Sequence, residues 1–307
     1  MTKYVIGRIA VAIPTLLALI VLSYLLMYAA PGGPFASERT LPQAVIDNVN
    51  ARYGLDQPLW RQIWTYVTGI VLHFDFGPSF LYRDRTVNEI IAQGFPVTLT
   101  YGSLSFLLAV AVGVPLGVIA AVRHNTWIDY LAVGVSVGAQ VLPNFVMAPI
   151  LVLIFTVWLG LLPAGGWNGG APENIVLPVI ALGTSFMASI ARLTRSSMLE
   201  VLNQGFVRTA RAKGLPMRTV VLRHALKPAM LPVISYLGPT FVGMITGSVV
   251  IDYFFSTGGI GQFLVNAAFN RDYAVMMGIT ILTGALTIGF NLLVDVAYAW
   301  IDPKIRY

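Results

Sequence analysis

The sequence predicts an all-α membrane protein with six spanning helices and a small extracytoplasmic insert between the first and the second. Three observations lead there. Hydrophobic residues make up 57% of the 307 and charged residues only 10%, against about 25% charged in an ordinary soluble domain. Apolar runs of about 20 residues or more, enough to cross a bilayer, recur along the chain. Lys and Arg collect in the segments between alternate runs, as cytoplasmic loops require.

The first run, Ile9 to Ala29, follows Lys3 and Arg8 and makes residues 1–30 an N-terminal span. Ala29-Ala30 resembles a signal-peptidase site, but the run exceeds the roughly 7 to 15 residues of a signal core and Pro31 would follow the cut. The segment is therefore expected to be retained, with its N-terminus inside. From 31 to 96 the composition turns polar and aromatic, with turn signals at PGGP, RYGLDQP and FDFGPSF. Helices are expected there over Leu41 to Tyr53 and Leu59 to His73.

Residues 97–307 read as the membrane core. Its second span runs from Val97 to Val122, and Arg123, His124, Asn125 and Asp129 form a short inner loop. The third, about Tyr130 to Leu159, is interrupted by Pro143 and Pro149 around Asn144, which frees backbone groups that neighbouring protein or cavity water must satisfy. A Gly-rich outer loop, LPAGGWNGGAPE, precedes a short fourth span from Ile175 to Ala191. The fifth covers about Met230 to Phe255 and the sixth about Ala274 to Ile301, leaving DPKIRY inside.

Between the fourth and fifth spans lies a basic region, 192–229, that can form helices outside the bilayer. Gly214 and Pro216 should stop one helix after Lys213, because Gly suits the left-handed cap and Pro cannot extend a helix. A second piece, from about Met217 to Leu226, has Met217, Val220, Val221, His224 and Ala225 at helical spacing, with Arg218, Arg223 and Lys227 outside that apolar stripe. Two short helices joined by Gly-Leu-Pro make a rigid knob, a surface for a soluble partner. The plainer reading is a basic loop that only sets topology.

Counting charges supports the layout: 13 of the 19 Lys and Arg fall inside and 6 outside, five of these in the long insert where the rule has little force. Both termini are thus expected in the cytoplasm. The net charge of +6 has the same origin and does not point to nucleic acid. Without Cys there is no disulfide or thiolate metal site, and no HExxH, GxSxG or GxxxxGK[ST] occurs. These absences make an intramembrane enzyme remote and leave a pump without a fuel site of its own.

Inside the membrane, small-xxx-small pairs at Gly113/Gly117, Gly134/Gly138 and Gly243/Gly247 allow close helix contact. Asp252 and Asp295 are the acidic residues in or near the spans, and each should face the bundle or an interface, since an ionised Asp at mid-bilayer costs roughly 3 kcal/mol. That is a poor relay for a stand-alone proton- or sodium-coupled carrier. Gln140, Asn144, Ser185 and Thr246 are polar residues within spans, candidates for the translocation pathway and equally for hydrogen bonds to neighbouring helices.

RTARAKG, Arg208 to Gly214, followed by VVLRHALKPAMLPV, Val220 to Val233, resembles the EAA-loop signature of permease subunits of ATP-binding-cassette importers in the dipeptide and oligopeptide group. The general pattern has Glu-Ala-Ala, three residues, then Gly. Arg208, Thr209 and Ala210 stand at those first positions and Gly214 matches, so a carboxylate docking contact is not available here. The segment FSTGGIGQFLVNAAFNRDYAV from Phe255 and the C-terminal NLLVDVAYAWIDPKIRY are similar to the end of the same group. SERTLP, FGPSF and GGWNGG resemble the B-type permeases of oligopeptide importers in particular. The similarity extends over essentially the whole chain.

The resemblance implies a type I ABC importer permease fold in the bacterial inner membrane, with a second, different permease, two cytoplasmic ATPases and an extracytoplasmic peptide-binding protein as partners besides lipid. It implies that the chain binds no cofactor or metal, ATP and Mg²⁺ being used by the ATPases. It also implies that Arg208, Thr209, Ala210, Arg211, Ala212, Lys213, Gly214 and Leu215, with Arg218 and Arg223, couple the permease to the ATPase. Oligopeptides are the expected cargo; dipeptides, glutathione and nickel are moved by permeases sharing the core motifs.

Overall fold

A computed structural model describes residues 2–29, 54, 56–82 and 84–301 of the chain, with side chains described from 6 to 294 of these. The helices are α1 Thr2–Ala29, α2 Leu59–His73, α3 Val87–Val122, α4 Trp127–Val141 and α5 Asn144–Leu151, which continues as the π-helical Val152–Trp158. Then come α6 Pro172–Leu202, α7 Gly205–Ala212 and α8 Met217–Thr219, the last followed by π-helical Val220–Ala225. The chain ends in α9 Leu226–Thr246, α10 Val249–Phe254, α11 Ile260–Phe269 and α12 Tyr273–Ile301. Among the described residues five helices are long and apolar enough to cross a membrane, and six if α4 and α5, bent by 104° at their junction, make one broken span. The bend falls at Leu142-Pro143, where the sequence places the interruption.

The chain forms two compact units, one of Met1–Pro96 with Gly258–Tyr307 and one of Val97–Thr257. In the first, α1 packs along α12 and its outer part meets α2, where the Tyr24 hydroxyl donates to Gln62 Oε1 at 2.7 Å. Helix α2 has the bounds expected of it; the helix expected over Leu41 to Tyr53 lies outside the described residues. Helix α3 begins ten residues before the expected Val97 and continues through Pro96. The cause is a reciprocal cap, with the Thr86 N–H donating to Glu89 Oε2 at 3.0 Å and the Glu89 N–H to Thr86 Oγ1 at 3.2 Å, the capping-box arrangement.

The same unit joins two segments far apart in sequence. The buried Asp272 accepts from the Ser79 hydroxyl and from the N–H groups of Phe80 at 3.1 Å and Leu81 at 3.2 Å, while also receiving the Val275 N–H at the start of α12. A single carboxylate therefore caps a helix and fastens FGPSF.

In the second unit α6 is the central helix, with α4, α5 and α9 packed on it. Gly113 and Gly117 let α3 approach it closely: a Cβ would come within 2.8 Å of the Met187 carbonyl oxygen at Gly113 and within 2.4 Å of that of Ala191 at Gly117. Asp252 is fully buried and accepts hydroxyls from Thr98 at 2.8 Å, Thr257 at 2.9 Å and Ser248 at 3.1 Å, so it faces the bundle as the cost of burying a carboxylate requires. The Asp295 side chain lies outside the described ones. The Gly-rich loop is held by the Gly166 N–H donating to the Phe255 carbonyl at 2.6 Å and by the Tyr101 ring set edge-on to Trp167.

Two span limits differ from expectation. Helix α6 does not stop near Ala191 but runs to Leu202; its 31 residues reach about 46 Å, half as long again as the hydrocarbon layer. Met198, Val201 and Leu202 find an apolar cluster there, so the helix has reason to continue past the bilayer. The second half of the basic region is likewise no separate short helix, since α8 and its π-helical turn lead directly into α9. Pro228 has no N–H for the carbonyl of His224, and a widened turn ahead of it accommodates that loss.

Candidate functional site

The knob is built on a small core of its own. Val207 and Ala210 of α7 turn inward against Met198, Val201 and Leu202 of α6 and against Val220, Val221, Ala225 and Ala229, with Ala121 from the end of α3. Met198, Val207, Val220, Ala225 and Ala229 are wholly buried. Because α7 has only 8 residues, too few to be stable alone in water, this packing and not intrinsic propensity holds it. Its end is fixed by Gly214, at φ +77°, whose N–H reaches the Arg211 carbonyl at 2.9 Å while that of Leu215 reaches back to Ala210. This is the left-handed cap expected at Gly214.

Of the ten residues expected to couple, Arg208, Thr209, Arg211, Ala212, Lys213, Gly214, Leu215, Arg218 and Arg223 are exposed. Ala210 is 7% exposed, so a partner cannot touch it, and its small size serves packing. Phe206, 44% exposed, stands on the outer face of α7 and was missed because an aromatic in a basic run reads as core. The knob thus offers a row of cations beside Phe206, Leu215 and Met217.

A buried ion cluster fixes where the knob begins. Asp129, 1% exposed, accepts two hydrogen bonds from Arg195, Nε to Oδ1 at 2.6 Å and Nη2 to Oδ2 at 2.8 Å. It also accepts the Asn125 N–H and contacts His124 Nδ1, both at 3.0 Å. The short loop after α3 is thereby pinned to α6 seven residues before its end. Further along, the Ser197 hydroxyl donates to the Ala229 carbonyl at 2.7 Å. Asp129 sits in the first turn of α4, not in the loop where the sequence placed it; the run of polar residues before it hid the helix start.

The pathway candidates divide. The Ser185 hydroxyl donates to Asn144 Oδ1 at 3.2 Å, bringing those two together at the 104° bend. Gln140, two residues before the bend, is exposed. Thr246 donates to the Val242 carbonyl of its own helix at 2.9 Å, satisfying itself locally. Nearby, Gly134 and Gly138 stand on α4 with open space where a Cβ would be, among exposed Leu131, Val135 and Val141. Among the described residues no group of His, Asp and Glu could hold a metal.

Two family profiles match the chain. Residues 113–307 match the binding-protein-dependent transport system inner membrane component, and residues 1–102 match the N-terminal domain of the binding-protein-dependent transport system membrane component. The chain is 54% identical over 307 residues, all of both chains, to the oligopeptide transport system permease protein OppB of Escherichia coli (strain K12). It is 50% identical, again over all of both chains, to OppB of Haemophilus influenzae. Against the dipeptide transport system permease protein DppB of Bacillus subtilis identity is 42% over 306 residues, 100% of this chain and 98% of the other. A chain of the inward-facing MetNI methionine ABC transporter superposes with a TM-score of 0.58 at 17% identity, covering 70% of this chain and 97% of that one.

Proposed function

We infer what this chain moves, and how, from the family to which it belongs: it is a binding-protein-dependent transport system inner membrane component, a multi-pass ABC permease and not an enzyme, ATP hydrolysis being the work of a partner. Its cargo is oligopeptides, by likeness to permeases 50% and 54% identical over their full length. An extracytoplasmic binding protein delivers them. The observation that bears most on mechanism is the rigid, basic knob with nine of its ten expected contact residues on the surface. With the knob and both termini in the cytoplasm, α7 seats in a cleft of one ATPase, and nucleotide-driven closure switches the pathway between two packed arrangements. Asp252, which accepts from three hydroxyls inside the bundle, is a structural anchor and a poor proton relay.

Uptake of labelled peptides of graded length, in cells with and without this chain, tests the cargo. Loss of uptake of peptides longer than dipeptides is expected on deletion. Loss confined to dipeptides would transfer the chain to the activity of its 42% identical relative, and unchanged uptake would remove peptides altogether.

The second permease packs on the open face of α4. Of the three small-residue pairs, Gly113/Gly117 is used within the chain, whereas Gly134 and Gly138 have nothing within 4 Å, and such stripes let helices approach closely in lipid. Gly138→Leu should therefore leave this chain as stable as before, since it meets no neighbour and gains roughly 1 kcal/mol of helix propensity. Recovery of the second permease on the tagged chain should fall severalfold. Full recovery would place the partner elsewhere.

A further inference from the structure

We propose that an anionic phospholipid of the cytoplasmic leaflet binds in the groove between the end of α3 and the turn formed by α8. The groove has a volume of about 330 Å³. Its walls include Ile119 and Val122 of α3 on one side and Met217 and Leu222 on the other; Ile119 is 47% and Leu222 52% exposed, so an apolar surface is left open. Arg123 and Arg218 complete it, and no carboxylate is among its described lining residues.

Both guanidinium groups are exposed, and neither makes an ion pair among the described residues, in contrast to Arg195 with Asp129. Arg123 directly follows the last residue of α3, a helix long and apolar enough to span the membrane, so the pair belongs at the cytoplasmic surface within reach of headgroups, with Ile119 one turn nearer the acyl chains. A zwitterionic lipid would leave two cations uncompensated, whereas basic pockets between spanning helices on the cytoplasmic side suit anionic headgroups. Arg218 is thereby given to lipid, leaving Arg208, Arg211 and Lys213 to the ATPase. The inference rests on the cytoplasmic placement of the knob proposed above.

The test is native mass spectrometry of the whole transporter in detergent, titrated with phosphatidylglycerol and phosphatidylethanolamine of equal chain length. The wild type should retain phosphatidylglycerol preferentially. Arg123→Gln/Arg218→Gln should bind it about thirtyfold more weakly, the combined worth of two basic side chains at an anionic surface. Arg218→Lys should retain most of the binding, and Leu222→Trp, which fills the groove with both arginines intact, should lower it.

Equal retention of the two lipids, or unchanged binding in the double glutamine variant, would overturn the site. So would loss of ATPase recovery in that variant with lipid still bound, which would assign the groove to a protein partner. Arg208→Glu/Arg211→Glu separates the two ideas: lipid retention there stays at the wild-type level whether or not the ATPase is lost.

Discussion

Reversing the charge at both Arg208 and Arg211, as Glu, is expected to abolish association with the ATPase and with it peptide uptake, while membrane insertion and the amount of folded chain stay unchanged. Both side chains are exposed, and the helix that presents them is held by Val207 and Ala210 from the opposite side, so the substitutions touch no packing. The loss should be severe because α7 is short and its exposed face small, leaving few other groups to compensate for two reversed charges. Like-charge juxtaposition at an interface costs several kcal/mol, a drop of at least a hundredfold in affinity. Copurification of the ATPase on the tagged chain, with uptake in parallel, measures it. Normal assembly and transport in the double variant would rule out the knob as the coupling element.

The second large effect is expected at Asp129. Asp129→Ala leaves Arg195 without the two hydrogen bonds that neutralise it, and breaking a buried pair from one side costs roughly 3 to 5 kcal/mol. The lower end applies, since the Arg195 side chain keeps 25% of its surface in solvent. Thermal unfolding of the purified complex should fall by several degrees, and because the pair anchors the helix that leads into the knob, coupled ATPase activity should fall with it. Asp129→Leu/Arg195→Met should recover much of the stability, as apolar replacement of both partners removes the stranded charge. Equal losses in the single and double variants would mean that the stranded charge is not what costs the stability.

Much of this architecture could be read from the chain because bilayer crossing imposes a length and a composition that survive without structural context. Helix α2, the break at Pro143 and the cap at Gly214 were legible since each depends on local pattern or on one residue with a special backbone. The start of α3 also carries a local signal, the Thr86 and Glu89 spacing, which the change of composition at 96 masks. Less accessible was the use each small pair finds: Gly113/Gly117 and Gly134/Gly138 look alike in sequence, and only the position of α6 separates them. The anchors at Asp129, Asp252 and Asp272 were hidden for the same reason, because their partners lie up to 193 residues away. Ala210 shows the limit of motif transfer, since a signature position can be needed for the fold beneath the contact surface and not for the contact.

Helix α6 has a consequence of its own. Beyond Pro178 it is uninterrupted for residues 179–202, about 36 Å at 1.5 Å per residue, with the pinned Gly-rich loop near one end and the knob at the other. A beam of that kind does not stretch or shorten under load. Any displacement imposed at Leu202 must reach Val179 as a tilt or a sideways shift, so spin labels at the two ends of this stretch should keep their separation while both move against the rest of the transporter.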